Sequence, residues 1–169
     1  MKKTLFVLTI SLAAVGCQMQ ADEGNDVDAT FAANCETVET ALSNFQDEVA
    51  DYSMYSEDYW ARPTRMNPEK GDSVRLEDVK ASNARGWAIF DYELVSELAF
   101  LPGVNPDSKE MDGSVRYYGM WKVTRSATDS SDEASVMIPI YSSFDFDADG
   151  KILFQQNYGD FTAAFNSLR

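Results

Sequence analysis

Asp160 is the residue of this chain that is best suited, by type and position, to general acid or base chemistry. It ends a run in which Ile152, Phe154, Gln156 and Tyr158 alternate with other residues, a spacing typical of one strand face. A carboxyl group in an apolar pocket has a raised pKa and can pass a proton to or from a carbonyl compound. The more common alternative is a capping or surface aspartate where the strand meets the C-terminal tail.

Aromatic side chains form the second group that could take part in binding or chemistry. A tyrosine hydroxyl that points into a pocket can donate to an oxygen on which negative charge develops. The candidates for a ligand-binding wall are the aromatic residues of two segments and one amide: Tyr55, Trp60, Tyr117, Trp121, Tyr141, Tyr158 and Gln156. An aromatic stripe at strand spacing is more often part of a core, so both interpretations stay open.

Three aspartates near the end of the chain resemble the first half of a calcium loop. Asp145, Asp147 and Asp149 alternate and are followed by Gly150. The loop's twelfth position requires a bidentate glutamate and is Gln156 here, and the flanking segments have the alternation of strands instead of helices. Asp and Gly are also what a hairpin turn requires. We therefore predict a hairpin turn that holds no metal.

Composition excludes several classes of site and partner. The chain contains no histidine, so a Ser-His-Asp triad, a Cys-His pair and a His-ligated metal cannot be built within it. We expect no cofactor. The formal net charge is −14, and removal of two lysines with residues 1–16 leaves 12 basic and 28 acidic side chains, a charge of −16. Such a surface repels phosphate backbones, so nucleic acid is set aside as a partner.

The N-terminal segment resembles a bacterial lipoprotein signal. Two lysines precede a run of ten mainly apolar residues, 5–14, which is too short to span a bilayer but has the length of a secretory signal core. The sequence Ala-Val-Gly-Cys follows at residues 14–17. We predict cleavage before Cys17 and acylation of its thiol, with palmitate among the attached chains. The alternative is ordinary signal cleavage, with Cys17 unmodified.

The segment that follows the cysteine predicts where the protein resides. Residues 17–33 are polar and acidic and are predicted to be a flexible tether, followed by one domain over residues 34–169. Gln18 stands where an aspartate would favour retention in the inner membrane. The resemblance therefore implies an exported, lipid-anchored protein at the outer membrane, facing the periplasm. With Cys17 acylated, Cys35 is left without an intramolecular disulfide partner.

Hydrophobic periodicity changes from helical to extended along the domain. Helical spacing predicts one helix over residues 38–52 with Asn34 as its N-cap, a short helical piece over 54–60, and a helix over 77–88. Period-two alternation predicts strands over 90–100, 115–123, 136–146 and 152–161, with a short strand at 73–76 and a polar loop at 102–113. Helices grouped before antiparallel strands predict an α+β fold. We expect a curved antiparallel sheet wrapped around the N-terminal helices, forming a cone with an inner pocket.

Three segments resemble the nuclear transport factor two-like superfamily in its SnoaL-like branch. They are Val115 to Trp121, Phe144 to Ile152, and Tyr158 to Phe161, and the likeness spans roughly residues 35–168. In SnoaL-like cyclases an aspartate near the end of the last strand acts as general acid or base, and the matching position is Asp160. Members of the superfamily include isomerases, cyclases, dehydratases and hydrolases, whereas others bind ligands or form dimers. The resemblance implies a homodimer through the outer sheet face.

Two functions follow from these observations. The first is an envelope lipoprotein whose cone binds a small apolar ligand or a protein partner, with no catalysis required. The alternative is a cofactor-free acid/base enzyme, an isomerase, cyclase or hydrolase, that uses Asp160 and a tyrosine of the pocket.

Overall fold

Helices flank and cover a curved sheet in the computed structural model of this chain, which describes residues 23–169. The elements follow one another in the order α1 Glu23–Gln46, β1 Tyr55–Ala61, β2 Val74–Arg75, α2 Leu76–Trp87, β3 Phe90–Leu94, β4 Ala99–Val104, β5 Met111–Arg125, β6 Ala134–Phe146, β7 Ile152–Tyr158 and α3 Phe161–Ser167. The predicted α+β fold, with an N-terminal helix packed on a curved sheet, is confirmed.

The sheet is antiparallel apart from one pair of strands. Its order is β2-β1-β7-β6-β5-β3, and β4 pairs with β5 beyond the end of β3. The strands predicted from alternation, β3 to β7, all pair antiparallel with their neighbours. The exception is β1, which runs parallel to β7. This parallel strand adds a side wall to the sheet that the sequence had not predicted.

Helix α1 begins earlier than predicted and enters the segment that was expected to be a flexible tether. Residues 23–33 are helical, and Phe31 packs against the same buried cluster as Val38. The spacing of these two apolar residues, seven apart, continues the helical period toward the N-terminus. Asn34 is therefore not an N-cap. It lies within the helix, is 5% exposed, and donates from Nδ2 to the carbonyl oxygen of Gly113 over 2.8 Å.

The short helix predicted over residues 54–60 is wrong, because this segment is strand β1. Tyr55 and Tyr59 lie four residues apart, and a spacing of four returns to the same face in a strand as well as in a helix. Pairing with β7 decides between the two, since Trp60 and Ala61 have Phe154 and Gln155 as their partners. Residue propensity alone carried no information about that distant partner.

The single strand predicted over residues 90–100 is two strands, β3 and β4, which both pair with β5. Between them the chain leaves the ladder around Met120, whose carbonyl oxygen accepts from the Val95 nitrogen over 2.9 Å. The nitrogen of Met120 donates to the Ser96 hydroxyl over 3.0 Å. The predicted loop 102–113 is accordingly shorter, because β4 continues to Val104 and β5 begins at Met111.

The hairpin between β6 and β7 is confirmed. The nitrogens of Asp149 and Lys151 both donate to the Asp147 carboxylate over 3.0 Å, and Gly150 has a φ of 73°, which favours glycine. Hydrogen bonding from the Lys151 backbone lowers the pKa of Asp147. The last strand ends at Tyr158, earlier than predicted, and the closing tail forms helix α3.

One end of the cone is filled by its own side chains. We call it the closed end and define it by Val38, Val115 and Ile152, each 0% exposed. The N-terminal half of α1 packs here, held through Asn34. At Gly113 an added Cβ would lie 2.9 Å from the Thr30 side chain, so only glycine allows this close approach of helix and strand. The other end of the cone is not filled.

Candidate functional site

A cavity of about 440 Å³ occupies the end of the cone opposite the closed end. Helix α1 contributes only from Ala41 onward, and strand β5 only from Tyr117 onward, so the cavity begins where the closed end stops. Most of the wall is aromatic or aliphatic. The apolar and aromatic side chains of the wall include Leu42, Phe45, Val79, Trp87, Tyr92, Trp121, Val123, Ile138, Ile140, Phe144, Phe161 and Phe165.

An aromatic cluster forms the wall between α1 and the sheet. Phe45 packs edge-on against Trp121, with ring centroids 5.7 Å apart, and against Tyr92 at 4.8 Å. The indole nitrogen of Trp121 donates to the Tyr117 hydroxyl over 2.9 Å. The Tyr117 side chain passes over Gly119, where an added Cβ would lie 1.7 Å from its hydroxyl oxygen. This glycine therefore gives Tyr117 the room to reach Trp121.

A chain of polar side chains crosses the wall from β1 to β7. The Tyr59 hydroxyl donates to Oε1 of Gln155 over 3.1 Å, and Nε2 of Gln155 donates to Oδ1 of Asn157 over 2.9 Å. At the α2 side, Nδ2 of Asn83 donates to the Tyr52 hydroxyl over 3.1 Å. These bonds orient amides and phenols that would otherwise be costly to place in an apolar wall.

The electrostatic environment of the cavity keeps its phenols neutral. Burial raises the pKa of Tyr55 to about 12, and it also raises the pKa values of Tyr59 and Tyr117. Within residues 23–169, Asp51 is the only carboxylate that lines the cavity, and it is exposed at the rim. A hydrogen bond from the Ser53 backbone lowers the pKa of Asp51. Its carboxylate is thus ionised at neutral pH and is not a proton donor there.

Three of the predicted ligand-binding residues line the cavity. Tyr55, Tyr117 and Trp121 come from β1 and β5 and meet the same space. Tyr117 and Trp121 are both buried and lie four residues apart on the inward face of β5. Tyr55 also faces inward, although from a strand and not from the helical piece that was expected.

The four other predicted ligand-binding residues lie outside the cavity. Trp60 packs on Phe154 with ring centroids 4.4 Å apart. Tyr141 lies 4.9 Å from Tyr118 and 6.0 Å from Tyr158, ring to ring, in a cluster on the outer sheet face. Gln156 also faces outward, because its neighbours on both sides line the cavity. A homodimer through this outer face stays a prediction of the family resemblance.

Asp160 does not point into the cavity. It is exposed, and its Oδ1 accepts from the Ala163 nitrogen over 3.1 Å, so that it caps helix α3. This is the structural role that had been weighed against catalysis. The last strand ends two residues earlier, which removes Asp160 from the alternating face on which its catalytic assignment depended.

A β-bulge explains why the outward residues of β7 were expected inside. The register between β6 and β7 shifts at Asp145 and Phe146, and beyond the shift the strand has changed its phase. Ile152 is buried, but the next residues that face the cavity are Gln155 and Asn157, at an odd spacing from it. The prediction missed both amides for this reason. The outward position of Tyr141 could have been predicted, because Ile140 and Ser142 precede and follow it in β6 and lie on the opposite, cavity-lining face.

The structure describes the aspartates that could bind a metal, but not the residues of the predicted membrane anchor. Residues 23–169 contain no group of three or more His, Cys, Asp or Glu side chains that could hold a metal ion. Asp145 instead pairs with Arg116 over 3.2 Å.

Among the described helices, none has both the length and the apolar character needed to cross a bilayer. Cys17 and the signal segment lie outside the described residues, and Cys35 is a free, partly buried thiol.

Comparison with known proteins identifies the fold. No protein-family model and no curated protein matches the chain. A proposed polyketide cyclase from Xanthomonas campestris pv. campestris is 14% identical with a TM-score of 0.61, over 83% of this chain and 99% of that one. A second, from Silicibacter sp., is 19% identical with a TM-score of 0.60, over 81% and 95%.

A third similar structure carries the superfamily name itself. It is a nuclear transport factor two-like protein from Burkholderia xenovorans, 10% identical, with a TM-score of 0.56 over 82% of this chain and 97% of that one. At such identities the likeness concerns the fold and not the chemistry. This chain therefore has the nuclear transport factor two-like fold.

Proposed function

We propose that this domain binds a small apolar ligand in the cavity of its cone and that no catalysis is required. The observation that carries the proposal is the cavity itself, about 440 Å³ with mainly aromatic and aliphatic walls. Ligand sites in proteins have roughly 300–1,000 Å³ and are lined mainly by apolar side chains with a few placed polar groups. The amides of Gln155 and Asn157 supply such polar groups here.

An acid/base enzyme has less support. Its candidate acid, Asp160, caps α3 at the surface, and the rim carboxylate of Asp51 is held ionised. The buried tyrosines have raised pKa values, so that they can donate hydrogen bonds but do not act as bases at neutral pH. The described part of the cavity thus offers donors without a paired base.

Mass spectrometry of the purified protein tests the binding function. The chain from residue 17, carrying Cys17→Ser so that it needs no detergent, should retain apolar compounds that are released by organic extraction. The Asn157→Trp variant places an indole in the cavity and should lose them. Gln156→Trp is the matched control, because it adds the same ring one residue away on the outer face. Equal retention by the two variants, or none by the parent chain, would contradict the proposal.

We also propose that Cys17 anchors the domain to the outer membrane on its periplasmic side. Two or three acyl chains give stable anchoring, whereas one alone is marginal. Six residue steps separate Cys17 from Glu23, the first described residue of α1, and they can span at most roughly 20 Å. The first residues of α1 lie toward the closed end, and we therefore expect the cavity to open away from the membrane.

Anchoring has its own test, independent of ligand binding. Intact-mass analysis of the membrane fraction should find a chain that begins at Cys17 and carries acyl groups. Cys17→Ser should move the protein to the soluble fraction, and Cys35→Ser is the control that should not. A mature chain without acyl groups would contradict the anchor and leave the binding proposal untouched.

A further inference from the structure

Two polar residues stand side by side on the otherwise apolar sheet wall of the cavity. Ser142 of β6 and Asn157 of β7 are directly paired in the antiparallel register, and both line the cavity. Directly opposed residues have their Cβ atoms roughly 4.5–5.5 Å apart, so both side chains can reach one ligand atom. Apolar residues precede and follow Ser142 on its face of β6, namely Ile140 and Phe144.

Both side chains have a hydrogen-bond donor that is not used within residues 23–169. Asn157 accepts at Oδ1 from Gln155, whose own Oε1 accepts from the Tyr59 hydroxyl. This chain of bonds orients the Asn157 amide, and its Nδ2 donates to no described residue. Ser142 is 3% exposed, and its hydroxyl likewise has no hydrogen-bond partner among those residues. No side-chain nitrogen or oxygen within the described residues is both buried and without a partner, so these two groups are accessible from the cavity that they line. A ligand that covers them leaves both donors unsatisfied unless it supplies an oxygen acceptor.

The charges around the cavity select against an anionic ligand. Arg62 is the only cation that lines the cavity within the described residues, and it is exposed at the rim, with its guanidinium 5.8 Å from the Trp60 ring. A carboxylate bound beside Ser142 and Asn157 would lack a counter-ion, which is costly in an apolar pocket. The whole chain has a formal net charge of −14, which also disfavours the binding of an anion. A neutral oxygen acceptor has no such cost.

We propose that the Ser142 hydroxyl and the Asn157 amide together bind the oxygen of a neutral carbonyl group on an otherwise apolar ligand. The inference rests on the proposed binding function and specifies its ligand class. An apolar body fills the aromatic part of the cavity, and the carbonyl oxygen accepts from both donors at the sheet wall. Hydrocarbons without an acceptor leave the two donors unsatisfied and bind more weakly.

A pair of isosteric probes tests this selection. 2-Acetylnaphthalene and 2-isopropenylnaphthalene have nearly the same shape, and only the first has a carbonyl oxygen. Titration followed by tryptophan fluorescence should show about tenfold tighter binding of the ketone, equivalent to ~1.4 kcal/mol. In Ser142→Ala/Asn157→Leu the preference should fall to about onefold, because both donors are gone. The carbonyl stretching band of the bound ketone should shift to lower frequency, and the double variant should lose that shift.

The chain provides a matched control on the opposite face of the same two strands. Ser143 and Gln156 are also directly paired, and Ser143→Ala/Gln156→Leu should keep the full preference. If the double cavity variant fails to fold, Ser142→Ala alone should reduce the preference about threefold, since one of two donors remains. Equal affinity of the parent protein for both probes would overturn the inference alone, with water satisfying the donors. Failure of both probes to bind would overturn the binding function as well.

Discussion

The two ends of the cone are built from the same helix and the same strands, yet they differ in how far side chains fill them. At the closed end Val38, Val115 and Ile152 are 0% exposed and leave no space. At the other end the same elements leave about 440 Å³ between large aromatic rings. Side chains of the helix and the sheet interdigitate at the closed end, whereas the rings of Phe45 and Trp121 contact each other edge to face on the cavity wall and do not fill the cavity.

This difference separates the residues that stabilise the fold from those available for binding. Removing atoms from a filled region leaves a new cavity and costs free energy, whereas removing them from a partly buried side chain beside an existing cavity costs less, because fewer contacts are lost. The two ends also differ in whether their polar side chains are hydrogen-bonded within the described protein. The amide of Asn34 is hydrogen-bonded near the closed end, whereas the donors of Ser142 and Asn157, which have no partner within residues 23–169, lie at the open end.

The largest expected effect compares two identical substitutions at the two ends. Ile152→Ala at the closed end should lower the free energy of unfolding by about 2–5 kcal/mol. Ile140→Ala, on the cavity wall, should lower it by roughly half as much, because its side chain is only partly buried. Urea unfolding followed by tryptophan fluorescence measures both. Equal losses would mean that the cavity end is as tightly filled as the closed end.

Alkaline pH should lower the free energy of unfolding through the buried phenol of Tyr55 on the cavity wall. The folded protein raises the pKa of Tyr55 to about 12, above the value near 10 of an unfolded chain, so folding favours the neutral phenol. This contribution is fully present below about pH 10 and is lost as the pH rises through about 12, by up to ~3 kcal/mol. The free energy of unfolding, measured between about pH 9 and about pH 12, should fall less steeply in Tyr55→Phe. A slope as steep in Tyr55→Phe as in the parent protein would contradict this prediction.

A double-mutant cycle tests the polar wall. Gln155→Leu removes the acceptor of the buried Tyr59 hydroxyl and should cost about 1–3 kcal/mol of stability. Adding Tyr59→Phe removes the orphaned hydroxyl, and most of that loss should be recovered. Chemical denaturation of the four proteins of the cycle measures the coupling. Additive losses would show that this hydrogen bond does not hold β1 to β7.

The smallest effect concerns Asp160 and distinguishes capping from catalysis. Asp160→Ala should cost about 1 kcal/mol of stability, whereas Asp160→Asn should be nearly neutral, since asparagine caps helices equally well. Neither change should alter the affinity for 2-acetylnaphthalene by more than about twofold, because the residue lies outside the cavity. Isothermal titration of both variants measures this. A tenfold loss in Asp160→Asn would return Asp160 to the ligand site.

Much of the sheet could be predicted because alternation is a local property. Along β5 and β6 each residue faces opposite to the next for more than ten positions, so it followed directly that Tyr117 and Trp121 share one strand face. The turn at Asp147 and Gly150 was equally local, since its residues satisfy their own backbone. Cleavage before Cys17 and its acylation stay predictions, because the described residues begin after them.

The amino-acid sequence by itself determined the α+β class, the antiparallel strands, the absence of histidine chemistry and the shared strand face of Tyr117 and Trp121. It did not determine the path of β1 or the phase of β7. A spacing of four fits both a helix and a strand, and only the pairing with β7 makes Tyr55 and Tyr59 part of a strand. A single bulge, set by contacts between distant segments, moved Gln155 and Asn157 into the cavity and left Gln156 outside.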